Sequence, residues 1–97
     1  MSSYVILANW TDQGAKYSRD TIKRAKAFRA LIESRGGKVR EHLYTLGGYD
    51  IVMVIEFPDD DTAAAAVLAL ASLGNVRTKT MRAFTDGETA GIIAKLG

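Results

Sequence analysis

Residues 45–57, Thr45-Leu46-Gly47-Gly48-Tyr49-Asp50-Ile51-Val52-Met53-Val54-Ile55-Glu56-Phe57, set a glycine-centred turn directly before a run that is apolar at both parities. Two adjacent glycines let a backbone reverse with positive φ at little steric cost, so the segment reads as the turn and second strand of a β-hairpin. A half-exposed strand alternates apolar and polar side chains, and this one does not. Ile51, Met53, Ile55 and Phe57 point one way and Val52 and Val54 the other, so both faces need a cover. In a chain of 97 residues, one cover is the chain's own helices and the other a second subunit. Which parity meets the helices is left open by the pattern.

Outward from the hairpin, the remaining elements follow. Tyr4 to Trp10 is a strand, apolar on both parities except at Asn9. Thr11 to Asp20 is polar, contains Gly14, and reads as a loop with room for a helical turn. A helix over about 22–35 follows, capped by Thr21 or Asp20, with Ile22, Ala25, Phe28, Leu31 and Ile32 as its apolar stripe. Gly36-Gly37 ends it. Val39 to Leu46 is a second strand whose charged beginning suits a sheet edge. Pro58 stops the third strand, and Asp59 or Asp60 caps an alanine-rich helix over about 61–73, ended by Gly74-Asn75. Val76 to Phe84 is a fourth strand. Thr85 and Glu88 form a capping box for a short C-terminal helix holding Ile93 and Leu96.

The order β-α-β-β-α-β makes an α+β, ferredoxin-like sandwich. Right-handed crossovers give an antiparallel sheet in the order 4-1-3-2. Charge agrees with that order, because strands 1 and 3 are doubly apolar and strands 2 and 4 carry the charges. An outer sheet face this apolar implies a homodimer or a larger even-numbered assembly, as in a dimeric α/β barrel.

Bulk properties bound the rest. One domain, 1–97, accommodates the whole length. No cysteine occurs, which excludes disulfides, thiolate metal sites and cysteine nucleophiles. Met1-Ser2-Ser3 carries no basic n-region, Tyr4 to Trp10 is too short and mixed for a signal peptide, and Ala63 to Ala71 is far below membrane-spanning length, so the expected localisation is cytoplasmic, with no membrane partner. Net charge is +2, but residues 16–40 hold most of the basic side chains against only Asp20 and Glu33. Without interleaved aromatics this reads as a solvated helix surface, and no nucleic-acid partner is expected. His42 is the sole histidine; one His without a nearby carboxylate pair makes neither a metal site nor a hydrolytic triad. Gly47-Gly48 lacks the lysine and the helix of a phosphate loop, and no cofactor is expected.

Three segments, Asn9-Trp10-Thr11-Asp12-Gln13-Gly14, Gly48-Tyr49-Asp50 and Ser72-Leu73-Gly74-Asn75-Val76-Arg77-Thr78, are spaced along the whole chain. In them, and in Arg82-Ala83-Phe84, the chain resembles the GYD family, within the dimeric α/β-barrel group. Two departures are Thr21-Ile22, where similar sequences often carry Ser-Pro, and His42-Leu43-Tyr44, where they tend to be more aromatic. The expected sheet brings the end of strand 1, the hairpin turn and the start of strand 4 to one edge. Asn9 and Trp10 then lie between Arg77 and Tyr49-Asp50, a mixture of aromatic wall and polar groups suited to a small ligand. With His42, these six are the candidate ligand-binding residues; no catalytic residue is assigned. Each also has a structural reading, Asp50 as a hairpin clasp and Trp10 as a core plug.

Two functions compete. One is a homo-oligomeric module that binds a small, apolar ligand or another protein. The alternative, implied by likeness to α/β-barrel enzymes, is a cofactor-independent monooxygenase acting on an apolar aromatic substrate, with Asn9 and His42 polarising a substrate oxygen beside Trp10 and Tyr49.

Overall fold

The doubly apolar runs take the centre of the sheet and the charged runs its edges. In the computed structural model, which describes Met1–Gly97, the order is β1 (Ser2–Trp10), α1 (Asp12–Lys16), a 3-10 turn (Ser18–Asp20), α2 (Thr21–Ser34), β2 (Lys38–Tyr44), β3 (Ile51–Phe57), α3 (Asp60–Ser72), β4 (Val76–Ala83) and α4 (Asp86–Ala94). All neighbouring strands pair antiparallel in the order β2-β3-β1-β4. This is the 4-1-3-2 sheet of a ferredoxin-like fold, counted from the other edge.

Parity is settled by packing. Tyr4, Ile6 and Ala8 of β1 and Ile51, Met53, Ile55 and Phe57 of β3 are buried, together with Phe28 and Ile32 of α2 and Ala63 and Ala66 of α3. The helices therefore cover that face. Their alanines let α3 approach the sheet closely, and Ile6, Ile32, Ile55 and Phe57 fill the centre. Truncating any of these isoleucines to alanine costs about 2–5 kcal/mol. Val5, Leu7, Val52 and Val54 face the other way, with Leu43 and Met81 beside them in the cross-strand register. No helix covers that second face.

β2 carries the one irregularity. Val39 pairs with Ile55 but Glu41 pairs with Val54, so the register slips between them as a β-bulge. The slip reverses the parity of everything that follows. Val39 is buried inward, Glu41 faces outward, and His42 and Tyr44 point in beside Met53 and Ile51. Strict alternation from Val39 would have turned both rings to the outer face.

The caps form largely as expected. Asp59 accepts the Thr62 N–H at 2.7 Å at the head of α3. Thr85 and Glu88 close a reciprocal capping box on α4. Asp20 precedes α2 without a side-chain cap bond. Gly36 and Gly74 end their helices at φ +79°. Leu96 lies beyond α4, and α4 buries no residue of its own. That helix is tied to the sheet by Arg82, whose guanidinium donates to Glu88 at 3.3 Å and lies over the Phe84 ring at 4.5 Å.

The segment 11–20, expected as a loop with room for a helical turn, holds α1 and then the 3-10 turn. Thr11 caps α1 by accepting the Gly14 N–H at 3.1 Å. A helical turn forms because a buried glycine there lets it seat against the start of β4.

Candidate functional site

At the end of the sheet where β1 finishes, Asp50 closes the hairpin onto its neighbour. Its N–H donates to Ala8 O at 3.0 Å, and its carboxylate accepts the Trp10 N–H at 3.0 Å. The Thr45 N–H donates back to Asp50 O at 2.9 Å, and the Thr45 hydroxyl donates to Tyr49 O at 2.5 Å. Asp50 thus brackets Asn9 and extends the β1–β3 ladder past the last paired residue. On the other side of β1, Asn9 stands opposite Arg77.

The candidate residues share this edge but divide between two faces. Alternation sends Trp10 toward the helices and Asn9 to the outer face. Tyr49 reaches across the outer face of β1, its hydroxyl 3.4 Å from Lys79 Nζ and the ammonium 5.7 Å from its ring centroid. Arg77 is exposed and belongs to neither of the ion pairs, Arg40–Glu56 and Arg82–Glu88. The single connected polar cluster that the topology suggested is not formed. The Asp50 carboxylate bonds a backbone N–H, and Asn9, Tyr49 and Arg77 lie apart from Trp10 and His42.

Trp10 and His42 instead meet in a cleft of about 350 Å³ between the helices and the inner sheet face. Its floor is Ala8, Ile51, Met53 and Val76, with Trp10 closing one end. Its roof is one face of α2, through Arg24, Ala25, Phe28 and Leu31, and the end of α3 with its C-cap, through Leu70 and Leu73. Small side chains at Ala8 and Ala25 leave the space that larger ones would fill. His42 and Tyr44 line the open side, their ring centroids 5.1 Å apart. Tyr44 and Leu73 are exposed there, so the cleft opens to solvent.

Electrostatics in the cleft are one-sided. No aspartate or glutamate lines it. Arg24 donates to Tyr17 O at 2.8 Å and to Gly14 O at 3.3 Å, contacts that anchor its guanidinium without neutralising it. Burial, reinforced by the nearby Arg29 charge, pushes the His42 pKa below its usual value, so its imidazole is neutral near pH 7. Burial pushes the Tyr44 phenol up, against an opposing pull from Arg24. No three His, Cys, Asp or Glu side chains gather where they would hold a metal ion.

A second constellation escaped residue-by-residue reading. The Thr11 N–H donates to Asn75 O at 3.0 Å, and the Thr11 hydroxyl to Gly74 O at 2.6 Å. Gln13 Nε2 donates to Leu73 O at 3.2 Å and to Asn75 Oδ1 at 2.9 Å. Gly14 lies so close that a Cβ on it would come 2.0 Å from Asn75 O. Residues 11–14 and 73–75 are thereby zipped together, which holds Trp10 at the end of the cleft. The signal in the sequence was the presence of two polar, glycine-containing segments, Asn9–Gly14 and Ser72–Thr78, that share no element.

Comparison with known proteins agrees with this architecture. The model of the GYD domain matches residues 4–93. A protein of Thermus thermophilus, the glutamine synthetase and cystathionine beta-lyase binding protein, is 36% identical over 97 residues, spanning 99% of each chain. Among solved structures, the crystal structure of MtbAldR matches 88% of this chain with a TM-score of 0.68 and 14% identity. This chain spans 54% of that protein, and the likeness concerns the fold alone. No helix is long and apolar enough to cross a membrane.

Proposed function

The chain belongs to the GYD domain family, and from that premise we propose that it is a homo-oligomeric binding module whose other partner is a protein. The observation that carries this reading is the outer sheet face. Val5, Leu7, Val52 and Val54 form a continuous apolar stripe across the two central strands, widened by Leu43 and Met81, and no helix of the chain covers it. Such surface gains roughly 25 cal/mol per Å² when covered. The occupant is a second copy. Lys79 and Arg77 flank the stripe on β4, and Lys38 and Glu41 flank it on β2, so the apolar centre has a charged rim of the kind a two-fold contact between copies uses. The protein partner is a metabolic enzyme of the kind named for the Thermus relative, which is alike over its full length.

Catalysis is the less supported reading. The oxygenase alternative draws on the open cleft with His42 in its wall, but its polarising pair is divided, because Asn9 lies on the opposite face of the sheet.

Light scattering on wild type and on Val52→Lys tests the assembly. The expected result is an even-numbered oligomer for wild type and a folded monomer for the variant. A monodisperse wild-type monomer at micromolar concentration overturns it. Calorimetric titration with purified glutamine synthetase and cystathionine beta-lyase from the same source tests the partner. Saturable binding of at least one is expected, and binding of neither removes the protein partner.

A further inference from the structure

The cleft between α2, α3 and the sheet is already open in a chain that elsewhere packs its core with alanine at close approach. We propose that it is a binding site for a small aromatic carboxylate, a function separate from the protein-binding reading and independent of it. Size comes first. A volume of about 350 Å³ holds about a dozen non-hydrogen atoms at the roughly 30 Å³ that a water-sized group occupies in a liquid. That suits two fused rings or one substituted ring. Shape and polarity come next. Trp10, Phe28 and Tyr44 offer aromatic walls, Met53 and Leu31 offer apolar contact, and Ala8 and Ala25 supply the room. An aromatic body fits this lining better than a polar one.

Charge decides the head group. The formal charge that lines the cleft is positive. Arg24 lines it, Arg29 lies close enough to act on His42, and neither takes part in an ion pair. No carboxylate lines the cleft to balance them. Arg24 is held by the carbonyls of Tyr17 and Gly14, and a guanidinium has five N–H donors, so two such contacts leave donors for a carboxylate. A neutral His42 provides one donor or acceptor on the open side, which orients the ligand without adding charge. A cationic ligand would meet Arg24, with the Arg29 charge nearby, and no carboxylate in the lining.

The same side chains provide the test. Trp10 is the sole tryptophan, so its indole N–H gives one resolved signal at the end of the cleft. Full-length protein is titrated by calorimetry and by ¹⁵N-resolved NMR with three probes of matched shape: 2-naphthoate, 2-naphthamide and 2-naphthylmethylamine. The acid is expected to saturate one site per chain and to move the Trp10 indole signal. A charge-assisted contact makes it at least about tenfold tighter than the amide, with the amine weaker still. Arg24→Met, which keeps the apolar stem, is expected to bring acid and amide to equal affinity. Ala25→Phe is expected to fill the cleft and abolish binding of all three, with a thermal melt confirming that it folds; if it does not, Ala25→Leu serves in its place. No saturable binding of the acid, binding that leaves the Trp10 signal unmoved, an amine as tight as the acid, or an acid preference that survives Arg24→Met overturns the proposal.

Discussion

Replacing Gly14 with alanine is expected to be among the most damaging single-methyl changes in this protein. The added Cβ would sit 2.0 Å from Asn75 O, 2.9 Å from Asn75 C and 3.2 Å from Trp10 Cδ1. Favourable non-bonded separations are near 3.5 Å, so the backbone at Asn75 has to retreat by about 1 Å or more. Retreat is not free, because that carbonyl accepts the Thr11 N–H and the adjoining Gly74 carbonyl accepts the Thr11 hydroxyl. Overpacking costs about 1–3 kcal/mol, and two strained hydrogen bonds cost about 1 kcal/mol each. Alanine returns about 1 kcal/mol through its helix propensity in α1. The net loss is about 2–4 kcal/mol, which for a domain of this size lowers Tm by roughly 10–30 °C. Circular dichroism melts at one fixed protein concentration measure it, since an oligomer's Tm depends on concentration. Gly91→Ala is the control. A Cβ there meets nothing within 4 Å, and in mid-α4 it should be neutral or stabilising by up to about 1 kcal/mol. If Gly14→Ala melts within about 2 °C of wild type, the zip between residues 11–14 and 73–75 does not hold this end of the sheet.

Asp50→Ala leaves the half-buried Trp10 N–H without its acceptor. The expected cost is about 1–3 kcal/mol in urea denaturation, and an unchanged midpoint would remove the clasp role. Asp59 and Glu88 are held below the usual carboxylate range, each first of all by a backbone N–H, of Thr62 and Thr85 respectively. Folded values below unfolded ones mean that their stabilisation is complete above the unfolded carboxylate pKa and is lost as pH falls through the folded values. Amide exchange at Thr62 and Thr85 should therefore accelerate on acidification beyond the intrinsic pH effect, and Asp59→Ala should flatten the response at Thr62. Lys16, Arg19, Lys23, Lys26 and Arg29 are exposed but spread around the helical segment, so fluorescence anisotropy should find no tight duplex or single-strand binding near physiological salt. A steep inverse salt slope there would contradict it.

The hairpin, the helices, their caps and the strand order were legible in the sequence because each rests on local or nearest-neighbour physics. Glycines that take positive φ, aspartate and threonine caps, and doubly apolar central strands all leave their mark in a window of a few residues. That the outer face is apolar was equally legible, since Val52 and Val54 had to point somewhere. Which parity met the helices was not, because Ile51 and Val52 are equally suited to burial and only the packing of Phe28, Ile32 and Ala66 chooses between them. The candidate site depended on that choice at every step. Asn9 and Trp10 are adjacent in sequence yet lie on opposite sides of the sheet, so a convergence seen along one edge separated into an outer set and a cleft. His42 enters the cleft only because the bulge between Val39 and Glu41 inverts β2. A bulge is a register event between two strands, energetically set by keeping Glu41 in water while Val39 stays buried. Neither residue announces it alone. The chain's local chemistry determined the elements and their order; long-range packing and one slipped register decided which side chains share a space.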